Sequence, residues 1–276
     1  MVAGTVDGAV AAPVGQVRPV FQRGPAKLFR DTWLVFQRQM LLILRTPLRL
    51  VIGFAQPIAY LLLFAPLLKS ALHASTYAEA YRIYVPGLLV ILVLLSGFFT
   101  GFSLLAELAS GVIERSRVTP ISRFALLLGR SLSEVATLIG QAVIITLLAI
   151  PFGLSVSIGD ALLAYVLLIM MGVGASCVSY AAALLIRNPM ALGPLINVVS
   201  QPLALLSGVL LPLALAPAWL RAIAWWNPFY WATNGTRALF VGHPGDNSVW
   251  IGAIILAALA VGTVTWATRL FSHRVR

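Results

Sequence analysis

The amino-acid sequence predicts an all-α integral membrane protein with six transmembrane helices. An amphipathic interfacial helix precedes them, and a re-entrant outer helix pair lies before the last span. Composition supports this, because 60% of the 276 residues are hydrophobic and only 10% are charged, whereas a soluble protein is roughly 25% charged. The mean hydropathy of +0.96 makes lipid the solvent for most of the chain. Uncharged stretches also follow one another, each near the roughly 20 residues that cross a bilayer.

The formal net charge is +11, and the basic residues lie between the apolar stretches. In that position they act as topology signals and as contacts for the membrane surface. Membrane lipid is therefore a predicted partner, and nucleic acid is not. The single cysteine, Cys177, lies inside an apolar stretch, and His73, His243 and His273 are isolated. We expect no disulfide framework, no metal site and no catalytic role from these four residues.

Residues 1–26 are predicted to be a disordered cytoplasmic tail, because they lack the continuous apolar run of a secretory signal. An amphipathic helix is predicted over 28–46, in the plane of the lipid headgroups. Its apolar residues recur at helical spacing, and its charged residues recur every seven on the opposite side. The apolar set is Phe29, Trp33, Phe36, Met40 and Ile43, and the charged set is Asp31, Arg38 and Arg45. Pro47 ends this pattern.

Six uncharged stretches then predict spans at about 50–68, 83–106, 131–152, 161–186, 191–214 and 248–268. Together with the interfacial helix they form one transmembrane domain over 27–270, followed by a cytoplasmic tail at 271–276. The segment 222–236 is uncharged but short, contains Pro228 and is crowded with Trp and Tyr. These features predict a re-entrant or interfacial element rather than a seventh span.

Lys and Arg residues are distributed unequally between alternate sides of the predicted spans. Fifteen fall on one side: Arg18, Arg23, Lys27, Arg30, Arg38, Arg45, Arg49, Arg115, Arg117, Arg123, Arg130, Arg187, Arg269, Arg274 and Arg276. The other side holds Lys69, Arg82, Arg221 and Arg237. Because the side richer in Lys and Arg is normally cytoplasmic, both termini and the second loop are predicted to lie in the cytoplasm.

The sequence offers little that could catalyse a reaction. The only Lys-Ser pair, Lys69-Ser70, follows Leu68, with Leu63 where a P-loop has its first glycine. We therefore expect no enzymatic activity in this chain. Glu107 and Glu134 lie near the cytoplasmic ends of predicted spans, and no ionised group is central in one. This weighs against an ion-driven carrier without excluding it.

The densest polar cluster is the second cytoplasmic loop, 107–130, which reads ELASGVIERSRVTPISRFALLLGR. Its pattern predicts a short helix, a proline turn and a new helix, which together could present a rigid charged surface to a cytoplasmic partner. An ordinary loop that carries topology-determining arginines is the alternative interpretation.

The run GVIERSRVTPISRFALLLGR closely resembles the cytoplasmic loop of type-2 ABC transporter permeases, in particular the membrane subunits of daunorubicin-resistance-like exporters. The shared features are a Glu-Arg pair, Pro-x-Ser-Arg and Leu-Leu-Gly-Arg. The segment SGVLLPLALAPAWLRAIAWWNPFYWATNGTRALFVG resembles that family's fifth-span exit, its outer Pro-x-Trp-Leu helix, its Asn-Pro and a downstream Arg. The resemblance covers roughly 28–270.

The resemblance implies a permease subunit that exports amphipathic drugs, natural products or lipids across a bacterial cytoplasmic (inner) membrane, with a role in antibiotic resistance. It implies a second permease chain, identical or different, and a separate ABC ATPase that binds ATP and Mg, with no cofactor in this chain. The outer re-entrant helices would map to 217–237. The residues implied in ATPase coupling are Glu107, Glu114, Arg115, Arg117, Pro120, Arg123 and Arg130.

Polar and aromatic residues along the spans are candidates for a cargo path. They are Gln56, Phe98, Phe99, Thr100, Phe102, Gln141, Asn197 and Gln201. Such side chains also bond helices to one another, so helix packing is the alternative. An ion-driven secondary carrier and a non-transporting membrane scaffold remain the alternative functions.

Overall fold

The computed structural model describes residues 25–71, 76–109, 123–209, 213 and 216–274. The regular structure of this part is helical, which confirms the predicted all-α class. The helices are α1 (Pro25–Leu44), α2 (Pro47–Ala71), α3 (Tyr77–Ala109), α4 (Arg123–Ala149), α5 (Ile158–Ile186), α6 (Pro189–Leu206), α7 (Ala218–Trp225), α8 (Pro228–Val241) and α9 (Asn247–Arg274). A 3-10 turn at Ile150–Phe152 extends α4.

Five stretches in the described part are long and apolar enough to cross a membrane: Tyr77–Ala106, Leu128–Phe152, Ile158–Ile186, Pro189–Leu206 and Asn247–Leu270. They coincide with the predicted second to sixth spans. The predicted first span falls in α2, whose described side chains include an apolar stretch from Gly53 to Leu63. The protein is therefore a multi-pass membrane protein with five candidate spans in the described residues.

The largest differences between the helix boundaries and the predicted spans are at the start of α4 and at the end of α6. Helix α4 begins at Arg123 rather than near residue 131. The prediction followed the uncharged run, which marks only the part of a helix that lies in the hydrocarbon layer. The helix itself can continue beyond that layer, because its backbone hydrogen bonds are satisfied within the helix. Helix α6 ends at Leu206, before the predicted end at 214. The turn that follows contains Gly208 at a φ of 73°, a left-handed conformation that commonly ends helices.

The centre of the bundle is the contact between α3 and α5, which is built from small residues. A Cβ on Gly101 would lie 2.6 Å from the Ser179 carbonyl oxygen, and one on Gly97 would lie 2.7 Å from the Ala175 Cβ. The Ser179 hydroxyl accepts a hydrogen bond from the Gly101 N–H at 2.9 Å and donates one to the Phe98 carbonyl. Small residues at such a contact let two helix backbones approach closely within a membrane.

Short polar side chains fix where the later helices begin. Asn188 and Asn227 accept hydrogen bonds from the backbone N–H groups of Met190 and Phe229, at 2.9 and 3.0 Å, so each caps a helix. Pro228 therefore opens α8 instead of interrupting a helix. Before α9, the backbone N–H of Ser248 donates to Asp246 at 2.7 Å. Hydrogen bonding by Ser248 holds the pKa of the Asp246 carboxyl below its usual value.

Candidate functional site

Helix α1, the predicted interfacial helix, packs against the first turns of α4. The close approach depends on Gly129, where a Cβ would lie 2.7 Å from the Val35 Cβ and 2.8 Å from the Thr32 carbonyl oxygen. Val35 is buried in this contact. Because α4 follows directly on the predicted coupling loop, α1 holds the helix through which a movement of that loop would enter the bundle.

One charged residue of α1 does not lie on the face of the helix that was predicted for it. Asp31, expected on the open polar side with Arg38, is only 5% exposed. It lies one turn before Val35, so it belongs to the face that meets α4. Phe29 and Trp33 are 74% and 46% exposed. Because Gly129 has no side chain, the short side chains of α1 can pack against α4. Phe29 and Trp33 of α1 then lie on the surface.

The predicted ATPase-coupling residues are only partly described. Glu114, Arg115, Arg117 and Pro120 lie outside the described residues. Glu107 is in the last turn of α3 and Arg123 is the first residue of α4, so both lie at the ends of the loop. Arg130 is buried, with 7% of its surface exposed. It lies inside the bundle rather than on an open surface.

A cavity of about 520 Å³ lies between α1, α2, α3 and α4. It is lined by Ser96, Phe99, Thr100, Phe102 and Ser103 of α3, by Glu134, Thr137, Leu138 and Gln141 of α4, and by Ile43 and Gly53. The volume falls in the range of sites that hold drug-sized molecules. Several polar groups therefore surround a space inside the predicted hydrocarbon layer.

Two helical faces meet across this cavity. On α3, Ser96, Thr100 and Ser103 are spaced by four and three residues. On α4, the lining residues run from Glu134 to Gln141 at i, i+3, i+4 and i+7, so each set occupies one side of its helix. This shared periodicity could have identified the site from sequence, but Ser96, Ser103 and Thr137 were not predicted. Glu134 was predicted to lie near a membrane boundary, where it was a candidate for ion coupling or for pairing with Arg130, but it was not predicted to line a cargo path.

The hydroxyl groups of the cavity are bonded to their own helices. Thr100 donates to the Gly97 carbonyl at 2.7 Å, Ser103 to the Thr100 carbonyl at 2.7 Å, and Thr137 to the Ser133 carbonyl at 2.9 Å. Each hydroxyl hydrogen is thereby used, whereas the hydroxyl oxygen can still accept. The rings of Phe99 and Phe102 stack with centroids 5.8 Å apart and planes at 16°.

The structure brings together four of the eight predicted cargo-path residues: Phe99, Thr100, Phe102 and Gln141. The other four lie elsewhere. Phe98 is buried and meets Phe229 of α8 edge-on at 6.2 Å, which is a packing contact. Gln56 is exposed and donates to the Tyr60 hydroxyl at 3.3 Å. Asn197 and Gln201 are exposed on α6.

At the other end of α3, Arg237 of α8 joins three elements. Its Nη2 donates to the Val209 carbonyl at 3.0 Å, and its Nε donates to the Ile83 carbonyl at 3.4 Å. Gly87 permits this approach, since a Cβ there would lie 2.8 Å from the Val209 oxygen. No carboxylate among the described residues pairs with this guanidinium. From the sequence, Arg237 was identified as an outer charge and as the downstream Arg of the family resemblance, and its contacts with Val209 and Ile83 were not predicted.

The described side chains enclose a cavity between α3 and α4. Within the described ranges, no group of three or more His, Cys, Asp or Glu residues could hold a metal ion. The cavity presents one carboxylate, hydroxyl oxygens, an amide and two aromatic rings. Fold and site thus define a multi-pass membrane protein with a drug-sized cavity between its helices.

Residues 30–241 match the family described as ABC-2 type transporter. The chain belongs to this family, and it is a membrane permease by that membership. The match confirms the resemblance seen in the predicted second cytoplasmic loop, 107–130, and in the segment before the last span.

The chain is 27% identical over 278 residues to the daunorubicin resistance ABC transporter permease protein DrrB1 of Streptomyces coeruleorubidus. That alignment covers 98% of this chain and 97% of the relative. This chain is also similar to two proteins named putative transport permease ycf38. The identity is 27% to the protein from Pyropia yezoensis and 26% to the protein from Cyanophora paradoxa. Those alignments cover 77% and 80% of this chain, and 75% and 76% of the relatives.

Proposed function

We propose that this chain is the permease subunit of an ABC exporter that moves amphipathic drugs, natural products or lipids out of the cytoplasm or inner leaflet of a bacterial cytoplasmic membrane. The observation that carries the proposal is the family match over 30–241, which includes the cavity and both ends of the predicted coupling loop. The name of the daunorubicin resistance relative supports a drug as cargo and a role in antibiotic resistance.

The proposed topology has six crossings, with both termini in the cytoplasm. Helix α2 serves as the first crossing, since its 25 residues extend about 37 Å at a rise of 1.5 Å per residue. Five crossings would put the termini on opposite sides and remove the asymmetry of Lys and Arg. Helices α7 and α8, with eight and 14 residues, are too short to span and form the proposed re-entrant outer pair.

Energy is proposed to come from a separate ATPase that binds ATP and Mg and docks on the loop between α3 and α4. A second permease chain, identical or different, completes the pathway. The α1–α4 contact at Gly129 supports this route, because α4 extends from the loop to the cavity wall at Glu134. A displacement of the loop would thereby change the shape of the cavity.

An ion-driven carrier is the second candidate, because Glu134 lines the cavity and a carboxylate there could carry a coupling proton. Inside-out vesicles that contain the permease together with the proposed ABC ATPase subunit distinguish the two mechanisms, with daunorubicin as the probe. We expect ATP-dependent uptake that persists when an uncoupler dissipates the proton gradient. Loss of uptake in the presence of ATP and uncoupler would refute the ABC mechanism and favour the carrier.

A further inference from the structure

We propose that a second, smaller cavity, between α4, α5 and α9, binds one acyl chain of a membrane phospholipid. This small cavity has a volume of about 160 Å³. It is lined by Leu128, Ser131, Leu132 and Val135 of α4, by Ile169, Val173 and Cys177 of α5, and by Val264, Ala267 and Thr268 of α9. The inference goes beyond the proposed function and does not depend on it, because it concerns a resident lipid rather than cargo.

The small cavity arises from the way in which α9 packs. Helix α9 lies mainly against α5 and α8 and makes only light contact with α4. Helices α5 and α9 approach each other closely, since a Cβ on Gly174 would lie 3.3 Å from the Leu259 Cδ2. The cavity is therefore a gap on the α4 side of a tight contact between two helices.

The small cavity begins at one edge of the predicted hydrocarbon layer. Leu128 is the first residue of the apolar stretch of α4 that is long enough to span, and Thr268 lies two residues before the end of the stretch in α9. From Leu128 to Val135 the lining extends about 10 Å along α4. This is the depth at which the part of an acyl chain nearest the headgroup lies.

The small cavity is continuous with the surface that faces the membrane. Leu132 lines it and is 44% exposed, and Ile169, Val173 and Val264 are partly exposed. Lipid tails are as apolar as leucine side chains. An acyl chain can therefore enter from the side without crossing a polar layer.

The lining favours hydrocarbon over water. The described residues that line the small cavity include no charged group, and their polar groups are those of Ser131, Cys177 and Thr268. The Thr268 hydroxyl already donates to the Val264 carbonyl at 2.7 Å. A buried water typically makes about three hydrogen bonds, whereas most of this lining is aliphatic. An empty gap is also unfavourable, because the lining atoms lose van der Waals contacts.

Size distinguishes the small cavity from the larger one beside α3. Drug-sized ligands occupy about 300–1,000 Å³, so a space of about 160 Å³ is too small for such a molecule. It has room for part of a single chain. The α4 residues that line the two cavities lie on different faces of that helix. A bound acyl chain would thus support α4 on one face while the larger cavity adjoins another.

The test is photocrosslinking of the purified full-length permease in lipid nanodiscs. The probe is a phosphatidylcholine with a diazirine in the half of one acyl chain nearer its ester, diluted in unmodified phosphatidylcholine. Mass spectrometry locates the adducts after irradiation. We expect adducts on the lining residues Val173, Cys177 and Val264. Their absence, with normal labelling of the exposed Ile254 and Val261 of α9, would overturn the proposal.

Val173→Phe should place a ring in the small cavity and displace the acyl chain. Adducts at 264–268 should then fall about tenfold relative to those at Ile254, which corresponds to about 1.4 kcal/mol of binding free energy. The matched control is Val166→Phe, because Val166 lies on the same helix, is 45% exposed and does not line the cavity. Undiminished adducts in a folded Val173→Phe protein would contradict the proposal.

If Val173→Phe does not fold, Val264→Phe fills the gap from α9 and the adducts are read on Cys177. Val261→Phe is its control, since Val261 is 65% exposed on the same helix and lies outside the small cavity. The yield at Cys177 should fall with Val264→Phe and persist with Val261→Phe. An equal yield for the two variants would refute the assignment.

Other occupants of the small cavity would give different results. Loss of the adducts on addition of excess daunorubicin would identify the occupant as cargo and refute a resident lipid. Adducts found only in the monomeric fraction would indicate that a second permease chain covers the cavity, which would also refute the proposal. None of these measurements involves ATP-driven export, so the proposed function stands or falls separately.

Discussion

Gly129 of α4 lies so close to Val35 of α1 that a Cβ on the glycine would be 2.7 Å from the valine Cβ. The predicted interfacial helix is thus packed against a helix of the bundle. Since real Cβ atoms do not approach so closely, an added methyl group would force the two helices apart.

Gly129→Ala is therefore expected to destabilise the permease by about 1–3 kcal/mol through overpacking. It should also weaken the stimulation of the ATPase by cargo, because α1 would no longer hold α4 firmly. Thermal unfolding in detergent and ATPase assays of the assembled complex measure the two effects. Gly140→Ala is the control on the same helix, where a Cβ meets nothing within 4 Å. Equal melting temperatures for the two variants would contradict the packing argument.

Replacing Arg237 with Met should destabilise the outer end of the bundle, because the carbonyls of Val209 and Ile83 would lose their donor. Leaving buried polar groups without a partner costs about 1–3 kcal/mol. Arg237→Lys should restore only part of the loss, since one ammonium group does not reproduce a fork-shaped guanidinium. Thermal unfolding measures this, with the exposed Arg221→Met as the control. A melting temperature for Arg237→Met that matches the control would contradict the prediction.

Charge reversal at Glu114 or Arg115 should uncouple transport and weaken the association with the ATPase while membrane insertion stays intact. Losing a charged pair at a docking surface typically costs a few kcal/mol of binding. Pull-down of the ATPase and vesicle transport are the measurements. Glu79→Lys, which reverses a charge at the other end of α3, is the control. Normal recovery of the ATPase with both loop variants would argue against docking at this loop.

The six-crossing topology predicts which introduced cysteines an impermeant thiol reagent can reach. On a Cys177→Ala background, a cysteine at position 75 should react from outside intact cells, and one at position 116 should not. Labelling after membrane permeabilisation provides the control that both cysteines are reactive. Equal labelling in intact cells would contradict the topology inferred from Lys and Arg.

Most helices could be predicted from the sequence, because the residues that begin or end a helix lie within a few positions of its boundary. Pro47 ends the first pattern, and Asn227 with Pro228 opens α8, as capping chemistry requires. The contact of α3 with α5 was not predicted, because it depends on Gly101 meeting Ser179 from a distant part of the chain. Burial of Asp31 was missed for the same reason.

The candidate site was half predicted. Phe99, Thr100, Phe102 and Gln141 were selected one by one as polar or aromatic residues within spans, and they do line the cavity. The type of a single residue does not reveal which helices face each other. Asn197 and Gln201 met the same criterion of a polar residue within a span, although they are exposed on α6. The residues that line the cavity can be told from the exposed residues of α6 only once it is known that α3 and α4 face each other.

The hydroxyl bonds of the cavity have a mechanical consequence. The hydroxyl groups of Thr100 and Thr137 each donate a hydrogen bond to a carbonyl of their own helix. Neither of these two hydrogen bonds has to break when α4 shifts along α3 or turns against it. The Ser179 hydroxyl, in contrast, ties α5 to α3. The Tyr165 hydroxyl of α5 also donates to the Thr146 hydroxyl of α4 at 3.0 Å, so α5 is bonded to both helices, and a turn of α4 against α3 at the cavity would change the width of that cavity.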